Sequence, residues 1–303
     1  MKKNITFFLI FLLPVFTYSQ RFKPSPYEFI FGIGTSNFLG ELGGAKDKVG
    51  THFVKDLDLP VTRQTSTFGV RYKFGDYFAL RSSLTYGRLK GDDKLTKEYY
   101  RNYRNLNFAS NIYELSVNFE AAFMKEQEGK RYRLRGVRGR RGYEMFTYGF
   151  VGIGMFHFNP KAKIENTWVA LQPLHTEGQG LIKSRPVYHR TAVCIPVGVG
   201  IRYTLKRNWS LGLEYGMRYT FTDYIDDVST TYVDPAVLSA QSNGAIAVEL
   251  ADRSAKPGDE GFVKGITRPG EQRGNPRYND AYMFATVSLN YKLRGTRRTA
   301  PKF

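Results

Sequence analysis

The residues of this chain most able to do chemistry are glutamates and arginines that occupy alternate positions in several segments. Two carboxyl groups in different surroundings can act as general acid and general base, whereas a carboxylate beside a guanidinium forms an ion pair. Both signs of charge are present, so we expect mutual neutralisation and no catalytic residues. The expected ion-pair network consists of Glu28, Arg71, Arg81, Glu114, Glu120, Arg202, Glu214 and Arg218.

Two other groups of residues could support a site. His157 and His189 flank one long connection and could belong to a metal site or a lipid-modifying enzyme, but no carboxylate or serine partner can be assigned to them. Asp223, Asp226 and Asp227 could bind calcium, although such residues more often fix turns and loops. Short G-x-G pieces occur, but no G-x-G-x-x-G opens a helix after a strand. We therefore predict no cofactor and no metal.

The composition excludes several classes of protein. A single cysteine in 303 residues rules out an intrachain disulfide framework and a cysteine-cluster zinc site. Hydrophobic residues make up 42% of the chain and aromatic residues 15%, which argues against disorder. The net charge of +18 first suggests nucleic acid or an anionic membrane surface as partner. The position of that charge along the chain must decide between them.

Residues 1–19 have the pattern of a signal peptide, which leaves 20–303 as the mature chain. Lys2 and Lys3 precede an apolar run over 5–16, and the small residues Thr17 and Ser19 suit cleavage before residue 20. A membrane anchor is the alternative, but the run is shorter than the roughly 20 residues that a bilayer requires. Export would lower the charge to +16, because both lysines are removed, and it argues against cytosolic DNA binding.

Apolar residues recur at every second position over eight segments, which is the spacing of a strand with one apolar and one polar face. The alternation is clearest at 113–123, 193–204, 209–221 and 283–293, and weaker at 27–37, 65–74, 77–88 and 145–158. A bulge near Gly149–Gly154 could exchange the two faces of its strand. Strands of about ten residues match the length of a tilted membrane strand.

These strands predict an all-β fold, a closed antiparallel transmembrane β-barrel of about eight strands. A secreted β-sandwich would also alternate and is the alternative. Aromatic residues at the ends of the apolar faces, small residues with isolated charges on the polar faces, and the signal peptide favour the barrel. A barrel of eight strands is just wide enough for its side chains to fill it, so we expect a paired lumen without an open pore.

The connections alternate in length, as they do in outer-membrane barrels with long outer loops. The long ones are 39–63, 89–110, 159–188 and 223–279, whereas 75–76 and 206–208 are short. This order predicts that both termini lie in the periplasm. The connection 125–142 is an exception, because it is long and lies on the predicted periplasmic side.

Four segments together make a more specific pattern. They are YEFIFGIGTSNFLGELGGA (27–45), ALRSSLTYGRLKGDD (79–93), YGFVGIGMFHFNPKA (148–162) and IPVGVGIRYTLKRNWSLGLEYGMRYTFTDYIDDVSTTYVDP (195–235). In this order they resemble the PorG-like outer-membrane β-barrel family of the type IX secretion system, with TDYIDDVSTTY as the most distinctive stretch. The resemblance implies a non-enzymatic outer-membrane component that associates, from the periplasmic side, with the ring of the lipoprotein PorK and PorN.

The positive charge gathers near the predicted periplasmic end. Residues 125–141 carry eight basic and two acidic residues, and 292–303 carry five basic residues and no acidic one, whereas 223–279 carries nine acidic and six basic residues. Such a surface could contact anionic headgroups or an acidic partner, because arginine binds carboxylates bidentately. The predicted partner-binding residues are Arg131, Arg133, Arg135, Arg138, Arg140, Arg141, Arg294, Arg297 and Arg298.

The sequence thus favours a barrel that anchors the periplasmic PorK/PorN ring at the outer membrane. Two other functions stay open. A lipid-modifying outer-membrane enzyme would use His157 or His189, and a surface adhesin or defence barrel would act through the loop 223–279.

Overall fold

The computed structural model describes residues 26–42, 59–123, 145–206 and 208–293. Its strands are β1 (Tyr27–Leu39), β2 (Arg63–Lys73), β3 (Phe78–Asp92), β4 (Asn107–Ala122), β5 (Met145–His157), β6 (Pro160–Ile164), β7 (Thr167–Ala170), β8 (Thr191–Lys206), β9 (Trp209–Thr220) and β10 (Ala281–Lys292). Eight of these form a closed antiparallel barrel in the order β1, β2, β3, β4, β5, β8, β9, β10. The predicted fold is therefore confirmed.

The barrel closes where the first strand meets the last. β1 pairs with β10 along its length, from Glu28 opposite Lys292 to Leu39 opposite Ala281. β5 pairs directly with β8, and the short β6–β7 hairpin between them extends from the upper part of β4. Because β1 begins and β10 ends beside the short β2–β3 and β8–β9 connections, we call this side of the barrel the turn end.

Among the strands that exceed the bounds predicted by the alternation, β3 and β4 extend the furthest. β3 and β4 stay paired past the expected bounds, from Leu89 opposite Ser110 to Asp92 opposite Asn107. Several residues there are buried whichever face they lie on, so the period of two fades from the sequence although the backbone pairing continues.

The bulge considered for β5 is absent. Val151 stands opposite Val197 and Gly154 opposite Cys194, so the strand keeps one register and one phase across this stretch. The pairing of β8 with β9 instead shifts in register between Thr204 and Lys206 of β8. The glycines of β5 had blurred the alternation, because residues without side chains stand on both faces.

The outward face of the barrel is an exposed apolar belt. Its side chains include Phe31, Ile33, Leu84, Leu115, Ile153, Val199, Leu213 and Val287, and Ile33 and Ile153 are 72% and 70% exposed. Aromatic pairs border the belt, with Tyr27–Tyr72 and Trp209–Tyr291 at the turn end and Tyr86–Tyr113 at the other. An apolar surface of this extent between aromatic girdles is covered by lipid. The chain is a transmembrane β-barrel.

The long connections fold together over the end opposite the turns. We call this assembly the loop cap, and it comprises 40–42, 59–62, 93–106, 158–190 and 221–280. It contains the helices α1 (Tyr99–Arg104), α2 (Pro235–Ser239) and α3 (Gly244–Ala251). Its buried core includes Leu42, Leu106, Phe158, Leu171, Ile225, Leu238 and Leu250. No helix in the described ranges is long and apolar enough to cross a membrane.

Several predicted segments lie outside the described residues. They are the signal peptide 1–19, the basic connection 125–142 and the basic tail 294–303. The nine arginines predicted to bind a partner are all in the last two of these segments. Their role stays a prediction.

Candidate functional site: the closed lumen and the loop cap

The strand phase places all eight predicted network residues inside the barrel, and six of them form one connected ion-pair network. Arg71 contacts Glu28 at 2.9 Å and Glu120 at 2.6 Å. Arg81 joins the same Glu120 at 3.1 Å and also contacts Glu214. Because these side chains are almost wholly buried, each pairing is needed to offset the cost of removing its charges from water.

The network continues at the turn end, and a separate ion pair lies closer to the loop cap. Arg202 Nη1 lies 2.7 Å from Glu28, which also accepts an ion pair from Lys73 at 2.7 Å. Farther up the lumen, Arg218 pairs with Glu114 at 3.2 Å. Among the described residues, no ion pair links Arg218 and Glu114 to the larger network. The sequence reading had not included Lys73, although the phase of β2 points Arg71 and Lys73 the same way.

Aromatic rings fill the lumen between these charges, and they were missed from the sequence. The guanidinium carbons lie over rings at 4.4–5.6 Å: Arg71 over Tyr148, Arg81 over Phe150, Arg202 over Phe146 and Arg218 over Phe284. Such stacking stabilises a cation and excludes water. Three of these rings, Phe146, Tyr148 and Phe150, lie at even positions of β5. The phase of that strand was uncertain from the sequence, so the rings could not be assigned to the lumen.

Glycines on the luminal face give these rings their space. A Cβ placed on Gly200 would overlap the ring of Tyr148, whose hydroxyl donates to Glu214 Oε2 at 3.0 Å. The glycine is therefore needed for close packing, which agrees with the absence of a nucleotide-binding motif.

Replacing Gly200 by valine should displace Tyr148 and weaken the network around Glu214. We expect the barrel to lose about 1–3 kcal/mol of stability, which is typical of an overpacked interior. The thermal midpoint of the gel-mobility shift in detergent would measure this loss. Gly75→Ala is the control, since a Cβ there meets no atom within 4 Å. Equal midpoints for the two variants would contradict the packing role.

The upper lumen is closed by a hydrophobic layer beneath the loop cap. Phe156 packs on Tyr282 at 5.3 Å between ring centroids, and Tyr282 packs on Phe284 at 5.3 Å. Phe38 and the free thiol of Cys194 are buried in the same cluster. The charged network below and this layer above fill the barrel with side chains, which is the packing of a closed barrel and not of a porin channel.

The loop cap is fixed by buried polar anchors. Glu177 accepts hydrogen bonds from the backbone N–H groups of Ser229 and Thr230 and pairs with Arg273 at 2.8 Å. Arg104 donates to both carboxylate oxygens of Asp93, at 2.8 and 3.0 Å. The Glu177 contacts join connections that are far apart in sequence, so the cap is one ordered structure.

Four buried carboxyl groups cluster at the base of the cap, namely Glu41, Asp223, Asp226 and Asp280. Asp226 accepts hydrogen bonds from the N–H groups of Leu42 and Val228, and Asp280 accepts one from Ile225. No described group donates a well-formed hydrogen bond to either buried oxygen of Asp223.

Burial and mutual repulsion change the acidity of this cluster. Burial, with the neighbouring carboxylates, raises the pKa of Asp223 to about 9 and the pKa values of Asp226 and Asp280 well above their usual range. Within the described ranges, no set of three or more His, Cys, Asp or Glu side chains is arranged to hold a metal ion. Of the three aspartates considered for calcium, Asp226 and Asp227 hold the cap together, and Asp227 does so by accepting hydrogen bonds from Thr176 and Tyr188 at 2.5 and 2.7 Å.

The two histidines considered for catalysis stand apart from the buried networks. His157 ends β5, is exposed, and its Nδ1 lies 3.1 Å from the Thr191 hydroxyl. His189 is also exposed and precedes β8, which begins at Thr191 rather than at the histidine. Among the residues that the structure describes, neither histidine has a carboxylate contact.

Comparison with solved structures finds similarity to bacterial surface and outer-membrane proteins at low sequence identity. Among solved structures, the Neisserial surface protein A is 10% identical, with a TM-score of 0.39, over 89% of this chain and 99% of that one. OprG from Pseudomonas aeruginosa is 8% identical, with a TM-score of 0.36, over 89% and 98%. A major outer membrane protein from Thermus thermophilus is 12% identical, with a TM-score of 0.36, over 88% and 98%.

Comparison of the sequence with protein-family models identifies a family. No curated protein matches the sequence. A family model described as a domain of unknown function, DUF6089, matches residues 2–236. Because this match spans well over half of the chain, the chain belongs to the DUF6089 family.

Proposed function

We propose that this chain is a non-enzymatic outer-membrane subunit of the type IX secretion machinery that anchors the periplasmic PorK/PorN ring. The observation that carries the proposal is the filled barrel, in which luminal charges pair with one another and the loop cap covers the far end. A barrel filled in this way suits an anchor better than a channel or an enzyme.

The distribution of charge supports the same role. The segment 124–144 joins β4 to β5 and the tail 294–303 follows β10, so both leave the barrel at the turn end. An arginine-rich surface on that side would bind carboxylates of a ring protein bidentately. The resemblance to PorG-like barrels supplies the identity of the ring.

Serine replacement of six arginines in the turn-end connection tests the proposal. The variant changes Arg131, Arg133, Arg135, Arg138, Arg140 and Arg141. We expect the barrel still to insert into the outer membrane, since no residue of the described strands is altered. Ring proteins should no longer co-purify with it from mild detergent. Co-purification is measured by mass spectrometry of the eluate.

A matched variant controls for the loss of six positive charges. It replaces six exposed basic residues of the loop cap by serine: Lys94, Lys97, Lys161, Lys183, Lys264 and Arg268. This variant should retain the ring proteins, because its changes lie at the opposite end of the barrel. Retention of the ring by the first variant, or its loss from both, would contradict the proposal.

A further inference from the structure

A group of basic side chains lies on the outward face of the barrel, directly above the aromatic border of the apolar belt at the end beneath the loop cap. We call it the rim patch, and its members are Arg88, Lys90, Lys161, Lys163 and Trp168. The alternation of exposed and buried residues on β3 continues past Tyr86, so Arg88 and Lys90 point outward as Tyr86 does. On β6, Lys161 and Lys163 alternate with two buried residues.

The strand pairing places two of these cations on either side of a small residue. Ala109 of β4 stands opposite Lys90 on one side and opposite Lys161 on the other. Directly opposed residues point to the same face of a sheet, and adjacent strands lie about 4.8 Å apart, so the Cα atoms of the two lysines stand about 10 Å apart. Their flexible side chains can converge on one anion above the methyl group of Ala109.

A cation–π contact holds Arg88 over the same face. Its guanidinium carbon lies 5.5 Å from the centre of the Trp168 ring. Trp168 belongs to β7, and β4 and β6 stand between β3 and β7 in the sheet. The contact therefore spans the outward face of both intervening strands and directs the guanidinium towards the lysines of β6. Trp168 remains 37% exposed, so the surface of the patch is open.

The height of the rim patch matches the headgroup layer of a membrane. Arg88 and Lys90 come two and four residues after Tyr86, which pairs with Tyr113 in the aromatic girdle. A rise of about 3.4 Å per residue and a strand tilt of about 40° put them about 5 and 10 Å beyond the girdle. The polar layer outside the hydrocarbon core is about 5–8 Å thick on each side. The long side chains of both residues therefore reach the headgroups.

The rim patch holds more positive than negative charge. Its four cations have two carboxylates as neighbours in sequence, namely Asp92, which lies 3.9 Å from Lys90, and Glu165 in the exposed β6–β7 turn. Within the part of the chain that the structure describes, no carboxylate forms an ion pair with Arg88, Lys161 or Lys163. A surface with this balance attracts anionic groups.

We propose that the rim patch binds the phosphate groups of lipopolysaccharide, the phosphorylated glycolipid of the outer leaflet. A phosphate monoester presents up to two negative charges and several acceptor oxygens, which suit the two ammonium groups beside Ala109 and the guanidinium of Arg88. These phosphates stand where the acyl chains of the lipid meet its sugars, and the rim patch stands where the apolar belt ends. The leaflet follows from the predicted orientation, with the loop cap outside the cell. The proposal does not rest on a role in secretion.

A single bound lipid is the occupant that the placement of the cations favours. On the other side of the barrel, the outward row at the same end consists of Leu39, Ala281 and Tyr219, which carry no charge. The rim patch covers the three strand spacings from β3 to β7, or about 14 Å. A disaccharide headgroup with a phosphate at each end would span that width. A complete ring of cations would instead attract anionic lipids all around the barrel.

Binding of lipid A to the intact protein in detergent tests the proposal. Trp209→Phe leaves Trp168 as the single tryptophan, so its emission reports on binding within the patch. Titration with diphosphorylated lipid A should change this emission until it saturates. Dephosphorylated lipid A and phosphatidylglycerol should each bind at least tenfold more weakly, and an equal concentration of inorganic phosphate should not compete. Equal binding of either lipid, or competition by the phosphate, would overturn the proposal.

Replacing Lys90 and Lys161 together by glutamine should weaken lipid A binding by about tenfold or more, because two charge-assisted contacts are lost. The matched control replaces Lys264 and Arg268 by glutamine, since both are exposed on the connection between β9 and β10. It should bind lipid A as the Trp209→Phe parent does. Equal affinities for the two double variants would refute the site. If the first of them does not insert, Lys161→Gln alone, at an exposed position, is measured instead, and unchanged affinity there refutes the site as well.

Discussion

Replacing Glu177 by glutamine is expected to open the loop cap while the barrel below it stays closed. The Glu177 carboxylate is fully buried and is the acceptor for two backbone N–H groups, the Thr230 hydroxyl at 2.7 Å and Arg273 at 2.8 Å. Glutamine offers one oxygen and turns an N–H₂ group towards donors. Arg273 would then be a buried cation without its carboxylate.

Breaking a buried ion pair from one side typically costs 3–5 kcal/mol, so we expect a loss of about that size from the stability of the cap. Hydrogen exchange in detergent should accelerate over 225–232 and 271–274, while the strands keep their protection. Glu249→Gln is the control, because Glu249 is exposed on α3 of the same cap. Exchange rates in Glu177→Gln that match those of the control would refute the anchoring role.

The barrel could be predicted because its physical rule is local. In a strand that separates lipid from a narrow lumen, each residue faces one medium or the other, and the sequence records the choice at every second position. This is why Arg71 and Arg202 could be placed in the lumen although 131 positions separate them. Which glutamate each would meet depends on the stagger of the strands, and no single strand encodes that stagger.

The loop cap could not be predicted because its contacts are neither periodic nor close in sequence. Glu177 meets Ser229, Thr230 and Arg273, which lie 52–96 positions away, on connections without a regular apolar spacing. The buried carboxyl cluster similarly brings Glu41 together with Asp223, Asp226 and Asp280 from both ends of the chain. Only Asp223, Asp226 and Asp227 were noticed from the sequence, as neighbours in one acidic stretch.

The closed lumen and the ordered cap together restrict where a function can lie. The membrane-spanning part offers lipids an apolar belt and uses its charges internally. A soluble partner would therefore meet the barrel at its two ends, where the cap presents folded loops and the turn end presents the short β2–β3 and β8–β9 connections. The sequences of the connections differ in charge between the two ends, so we expect the ends to suit different partners.

The loop cap should lose stability as the pH rises, because its carboxyl cluster is held in the protonated form. Burial first, and then the nearby carboxylates of Asp226, Glu41 and Glu177, raise the pKa of Asp223 from 3.8 to about 9. The pKa values of Asp226 and Asp280 shift the same way, and Arg104 only partly offsets the shift at Asp226. Between about pH 4 and pH 9, the folded cap therefore binds more protons than the unfolded cap.

The direction of the effect follows from that proton difference. Stability is fully present below about pH 4 for Asp223 and falls as the pH rises towards 9, by about 1.4 kcal/mol per pH unit for each carboxyl that must stay protonated. Asp223→Asn keeps the shape of the side chain without the titrating proton, so the cap of this variant should be more stable than the wild-type cap at pH 8 and less sensitive to pH.

Hydrogen exchange of 221–232 between pH 5 and pH 8.5, corrected for the intrinsic exchange rate, measures both effects. Glu260→Gln, at an exposed position of the same cap, should leave the pH profile unchanged. A wild-type cap that is as stable at pH 8.5 as at pH 5 would show that the cluster is stabilised in its ionised form.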